Sequence, residues 1–123
     1  MKEGQTILLV DYNESVIETV RNIANQNGIR LLLAEDGQEG FDLAKAELPD
    51  LIIMRKDVPI LDALSVSVLL KQSHETENIP VILICKAASS SERERLHDAG
   101  CSSFIEEPFT GNDLLQRLED WLP

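Results

Sequence analysis

Five short apolar runs punctuate the chain, and between them the apolar positions fall at helical spacing. The runs are Thr6–Val10, Ile29–Ala34, Leu51–Met54, Pro80–Cys85 and Cys101–Ile105. Short apolar runs bounded by polar residues predict buried strands. Burial on both faces predicts a parallel sheet with helices on each side. Val16, Ile17, Val20, Ile23 and Ala24 predict a first helix, with Asn13 as its N-cap and Asn27-Gly28 as a left-handed stop. Phe41, Leu43, Ala44 and Leu48 predict a second, after an Asp36-Gly37 turn and ending before Pro49. The segment Ile60 to Leu70 predicts a third, with Leu61, Leu64, Val68 and Leu69 at helical spacing. Ser91-Glu92-Arg93-Glu94 reads as a capping box opening a fourth, which runs to Ala99-Gly100. Leu114, Leu118 and Leu122 mark the last.

Strands alternating with helices imply right-handed parallel crossovers, and hence one doubly wound α/β domain of the (βα)5 flavodoxin-like type over residues 1–123. In the strand order 2-1-3-4-5 the crevice lies beyond the carboxyl ends of strands one and three. Asp11 ends strand one and Tyr12 follows it. Arg55 ends strand three, Cys85 ends strand four, and Glu107 follows strand five. Asp11, Arg55, Cys85 and Glu107 are therefore expected on one rim.

Charge narrows the function classes. With 22 acidic against 11 basic residues the formal net charge is −11. Such a surface repels phosphate backbones and anionic lipid, so neither nucleic acid nor membrane is expected as a partner of this domain by itself. No apolar run approaches the length of a membrane span. Met1-Lys2-Glu3-Gly4-Gln5 leads straight into a strand without the features of a secretory signal. Cys85 and Cys101 lack metal or redox spacing, which points to a reduced, cytoplasmic setting. At opposite ends of neighbouring strands, they are not expected to form a disulfide.

The ordered set Ile7-Leu8-Leu9-Val10-Asp11, Ala34-Glu35-Asp36-Gly37, Pro49-Asp50-Leu51-Ile52-Ile53, Val58-Pro59, Ile79-Pro80-Val81-Ile82, Ala99-Gly100 and Pro108-Phe109 resembles the response-regulator receiver domain family over nearly the whole chain. The resemblance implies a phosphoacceptor aspartate at the end of strand three, four residues before a proline; Arg55 stands there, four before Pro59. It implies two adjacent Mg²⁺-binding acids after strand one, where this chain has Asp11 and Tyr12. It implies a hydroxyl residue where Cys85 stands and a lysine where Glu107 stands. Only Asp11 keeps the family's residue.

The departures oppose the family's chemistry. Acyl phosphate formation needs a carboxylate nucleophile, whereas a guanidinium stays protonated and has no lone pair to offer. Mg²⁺ seeks oxygen ligands with one or two carboxylates among them. Glu107 repels phosphoryl oxygens that a lysine would neutralise. The expected reading is a pseudo-receiver: not an enzyme, with no catalytic, metal or cofactor site, acting as a phosphorylation-independent protein–protein interaction module in a two-component system. Its expected partner is a sensor kinase, an output domain or a second copy of itself. The alternative is a phosphorelay regulator phosphorylated at a non-standard acid such as Asp57, which reads more simply as a solvated loop acid. A flavin or enzyme site is disfavoured, because Asp11-Tyr12-Asn13-Glu14 is acidic where a phosphate would need a Ser/Thr/Gly-rich loop.

The reversal of both charges, acid to base at Arg55 and base to acid at Glu107, suggests a salt bridge from Arg55 to Asp11, Glu107 or both. The competing expectation is an Arg55 pointing into solvent. Cys85 reads as a small stand-in for a hydroxyl before it reads as a redox sensor. Phe104 falls where the family often has a swinging aromatic; with no phosphate-coupled hydroxyl, a static core or rim position is expected. The resemblance also implies a cis peptide before Pro108. Phe104, Leu115 and Trp121 form a candidate partner face, although single exposed apolar residues are ordinary.

Overall fold

A computed structural model describes all residues from Met1 to Pro123. Strand and helix alternate throughout: β1 Thr6–Val10, α1 Glu14–Gln26, β2 Arg30–Ala34, α2 Gly37–Glu47, β3 Leu51–Arg55, α3 Ala63–Leu70, β4 Val81–Cys85, α4 Ser90–Asp98, β5 Ser103–Glu106 and α5 Gly111–Trp121. The sheet is parallel in the order β2-β1-β3-β4-β5, as the pattern predicts. β3 and β4 are buried along their whole length, which explains their apolar sequences, interrupted only by Arg55 at the end of β3. Successive side chains alternate faces. Ile7, Leu9, Ile53 and Ile82 therefore join a core layer with Val16, Val20, Leu114 and Leu118 of α1 and α5. Leu8, Val10, Ile52 and Leu83 join the opposite layer with Ala44, Val66, Leu70 and Leu96 of α2, α3 and α4.

Caps set most element boundaries. The side chains of Asn13 and Asp36 accept from the amides of Val16 and Glu39, and Gly28 takes a φ of 66° after α1. β2 and β4 start one residue later than expected, at Arg30 and Val81, and three further boundaries move. The third helix starts at Ala63, not Ile60, because Asp62 accepts from the amide of Ser65. Its buried face is Ala63, Val66, Ser67 and Leu70, while Val68 is exposed; a helix apolar on nearly every side has no polar face to orient it. The fourth helix is capped by Ser89, which accepts from Glu92, so the Ser91 capping box does not form. The fifth strand starts at Ser103, not Cys101. Cys101 lies in the preceding turn, its amide donating to the Leu96 carbonyl at 3.0 Å and its Sγ lying 3.3 Å from Ser67 Oγ under α3.

α4 differs from the other helices. Its only buried residue is Leu96. It is held besides by ion pairs from Glu92 to Lys56 and from Arg93 to Glu106, and by Arg93 lying 5.6 Å over the Phe104 ring. The capping box that does form is at α5, where Thr110 and Asp113 satisfy each other's backbone amides at 3.1 and 2.9 Å.

Candidate functional site

The site lies where the strand ends converge. Val10 pairs with Met54 and Arg55 with Ile84, so Asp11 and Arg55 leave the sheet side by side. Cys85 pairs with Glu106, and the Glu107 amide donates to the Cys85 carbonyl at 2.8 Å, which brings the β5–α5 loop over the same edge. The Glu107–Pro108 peptide is cis, as the family resemblance implies.

Arg55 does not point into solvent. Its Nε donates to Asp11 Oδ1 at 2.8 Å. Its Nη1 and Nη2 donate to Glu107 Oε1 and Oε2 at 2.6 and 3.2 Å, a two-pronged contact matching the planar fork to the carboxylate. The guanidinium side chain is 7% exposed, Asp11 is closed off at 0%, and Glu107 keeps 21%. Asp11 Oδ1 also accepts from the amides of Tyr12 and Asn13 at 2.7 and 3.0 Å, while its Oδ2 is buried without a hydrogen-bond partner. One cation thus bridges two carboxylates and ties the β1, β3 and β5 ends together. Tyr12 lays its half-exposed ring 5.7 Å from the guanidinium carbon.

The charges reinforce one another. The Arg55 guanidinium is pushed above its ordinary range, first by its hydrogen bonds to Glu107 and then, against the cost of burial, by Asp11. Arg55 in turn holds the Glu107 carboxyl below the ordinary glutamate range, with a smaller contribution from Lys86. A carboxylate whose folded value is depressed stabilises the fold above its unfolded value and loses that contribution as the pH falls through the folded one. Urea midpoints of the native chain are thus expected to drop below about pH 4.3, the free glutamate value, by an amount that Glu107→Gln removes. An acid limb of equal slope in both proteins would show that the pair does not form.

A cavity of about 220 Å³ sits beside the triad, lined by Tyr12, Arg55, Lys56, Asp57, Cys85 and Lys86. Cys85 is buried at its floor and Asp57 is exposed at its edge. Lys56 and Lys86 were not among the expected site residues; each directly follows a strand end, and that adjacency is the signal that locates them. The carboxylates at this rim do not suit Mg²⁺. Asp11 and Glu107 are both engaged by Arg55, and a cation fills the space between them.

The expected partner face is only partly assembled. Phe104 is half-buried, with its carbonyl accepting from Arg117 at 3.3 Å and its ring under Arg93. Trp121 is 38% exposed. Leu115 is also half-buried and packs against the core layer shared by α1 and α5.

Comparison with known proteins agrees with this fold. Among curated proteins, the polar-differentiation response regulator DivK of Brucella anthropi is 28% identical over 118 residues, covering 96% of each chain, and that of Brucella ovis is equally similar. Among solved structures, the receiver domain of a sensor histidine kinase from Pseudomonas aeruginosa, described with a magnesium ion coordinated in its active site cleft, superposes with a TM-score of 0.85 at 27% identity, covering 97% of this chain and 98% of that one. A chemotaxis response regulator of Vibrio cholerae shares the fold at a TM-score of 0.87 and 20% identity, covering 95% of this chain and 98% of that one. No helix is long and apolar enough to cross a membrane. The sequence profile described as the response regulator receiver domain matches residues 7–119, and the chain belongs to that family of two-component signalling proteins.

Proposed function

We propose that this domain is a pseudo-receiver, a protein–protein interaction module of a two-component system that works without being phosphorylated. The observation that carries the proposal is the buried Arg55 fork closed on Glu107 and Asp11. The guanidinium occupies the strand end where the family resemblance calls for a carboxylate nucleophile, and it engages Asp11, the one metal-binding acid of that resemblance still present, together with Glu107. A permanent cation there imposes one arrangement on the β1, β3 and β5 ends, in place of two arrangements exchanged by a phosphoryl group. The partner on this reading is a sensor kinase, an output domain or a second copy, met in the cytoplasm. The domain performs no reaction of its own.

The test is incubation with acetyl phosphate and Mg²⁺, read by intact mass. The native chain is expected to gain no phosphoryl group. An adduct on the native chain that disappears in Asp57→Asn would instead favour a displaced acceptor, since Asp57 is the exposed acid on the cavity edge. An adduct that survives in Asp57→Asn would equally end the pseudo-receiver reading.

A further inference from the structure

Ile60 bears two costs at once. It is 75% exposed, the most exposed of the large apolar side chains. Its φ is 73°, a backbone conformation that a β-branched residue rarely adopts. The amide of Leu61 donates to the carbonyl of Pro59 at 2.9 Å, closing a γ-turn with Ile60 at its centre, a turn form that is rare and strained. Nothing in the core uses this side chain: Leu61 turns inward to the α2–α3 layer while Ile60 stands out. Strain of this kind is of order 1–3 kcal/mol, and its presence directs attention to what the residue contacts outside the fold.

The turn is fixed against α2. The Gly37 amide donates to the Pro59 carbonyl at 3.0 Å, which sets Ile60 at the head of the helix. Beside it runs a groove of about 540 Å³, with Leu43, Ala46 and Ile60 as apolar lining and Asp36, Glu39 and Asp42 along it. Glu39, Asp42, Leu43 and Ala46 share one face of α2 at three- and four-residue spacing, about two helical turns. No cation lines the groove. A second copy of the chain would bring its own charge of −11 to this face, which disfavours self-association there.

We propose that this groove docks a cationic amphipathic helix of a partner protein, one that seats an apolar side chain against Ile60 and Leu43 and sets lysine or arginine opposite Glu39 and Asp42. Helix-in-groove recognition needs an apolar floor and a complementary rim, and both are present. The inference does not rest on the state of Arg55.

The test titrates the isotope-labelled full chain with a synthetic leucine–lysine amphipathic helix at physiological ionic strength, with a leucine–glutamate counterpart as control, read by amide chemical shifts. Saturable shifts confined to the segments Asp36–Glu47 and Ile60–Asp62 are expected. Ile60→Gly is expected to weaken binding about tenfold or more, the worth of burying one such side chain, while its urea midpoint holds or rises because glycine accepts the positive φ freely. Glu39→Lys combined with Asp42→Lys is expected to weaken binding by a comparable factor without touching the turn. Shifts spread over the acidic surface, equal binding of the leucine–glutamate peptide, or unchanged affinity in both variants would overturn the proposal.

Discussion

Arg55→Ala is expected to destabilise the fold by about 3–5 kcal/mol, the range for removing one partner of a buried ion pair. The two carboxylates left behind do not suffer equally. Glu107 is 21% exposed and can turn to water, whereas the Asp11 side chain is fully enclosed and one of its oxygens already lacks a partner. Most of the loss therefore arises at Asp11, and Arg55→Ala combined with Asp11→Asn is expected to be more stable than Arg55→Ala alone. Arg55→Asp is expected to be worse than alanine, since it sets a third carboxylate beside the other two. Adding Glu107→Lys to it reverses both charges and is expected to recover a large part of the loss. Urea midpoints at constant slope decide each case. If Arg55→Ala shifted the midpoint no more than an exposed pair does, about 0–1 kcal/mol, the triad would not be a structural tie.

Gly37→Ala is the second large effect, and its sign runs against helix propensity. In an ordinary helix position the change stabilises by roughly 0.5–1 kcal/mol. At Gly37 an added Cβ would stand 1.7 Å from the carbonyl oxygen of Leu61, a backbone atom of the β3–α3 turn that cannot swing aside. The helix or the turn must shift, and a cost of about 3 kcal/mol is expected, at the upper end of overpacking effects. Gly111→Ala is the control: the nearest atom to its added Cβ is Thr19 Cγ2 at 3.9 Å, and a small gain or no change is expected. The thermal melt of Gly37→Ala should fall while that of Gly111→Ala holds or rises, and parallel shifts would show that the Leu61 carbonyl does not press on α2.

The fold and the triad were legible in the sequence for related reasons. Leu51–Met54 has no polar alternation, so it had to lie in the sheet centre, and a charged residue at its end had to meet the crevice. The exchange of charge between Arg55 and Glu107 then points to an ion pair at that rim, with Asp11 or Glu107 or both as the acid. What escaped were choices between near-equivalent local signals. Ser89 and Ser91 each stand three residues before a glutamate; the first wins, in a structure where Glu92 also reaches Lys56 across to the β3–α3 loop, a contact invisible in local sequence. The α5 capping box carries no standard sequence signal, because its reciprocal acid is Asp113, shorter than the usual glutamate or glutamine. The apolar spacing after Pro59 extends the predicted helix back to Ile60, yet Asp62 is the residue that caps α3, which starts at Ala63. Leu115 lies beside the stripe that includes Leu114 and Leu118, close enough for α1 to cover part of it.

α4 presses a single leucine into the core and otherwise rests on charged and cation–aromatic contacts at the surface. Such contacts are individually weak and lose strength as salt is added. The helix is therefore the least anchored plank of the domain, loosened by ordinary counterions and tightened by any neighbour that excludes them.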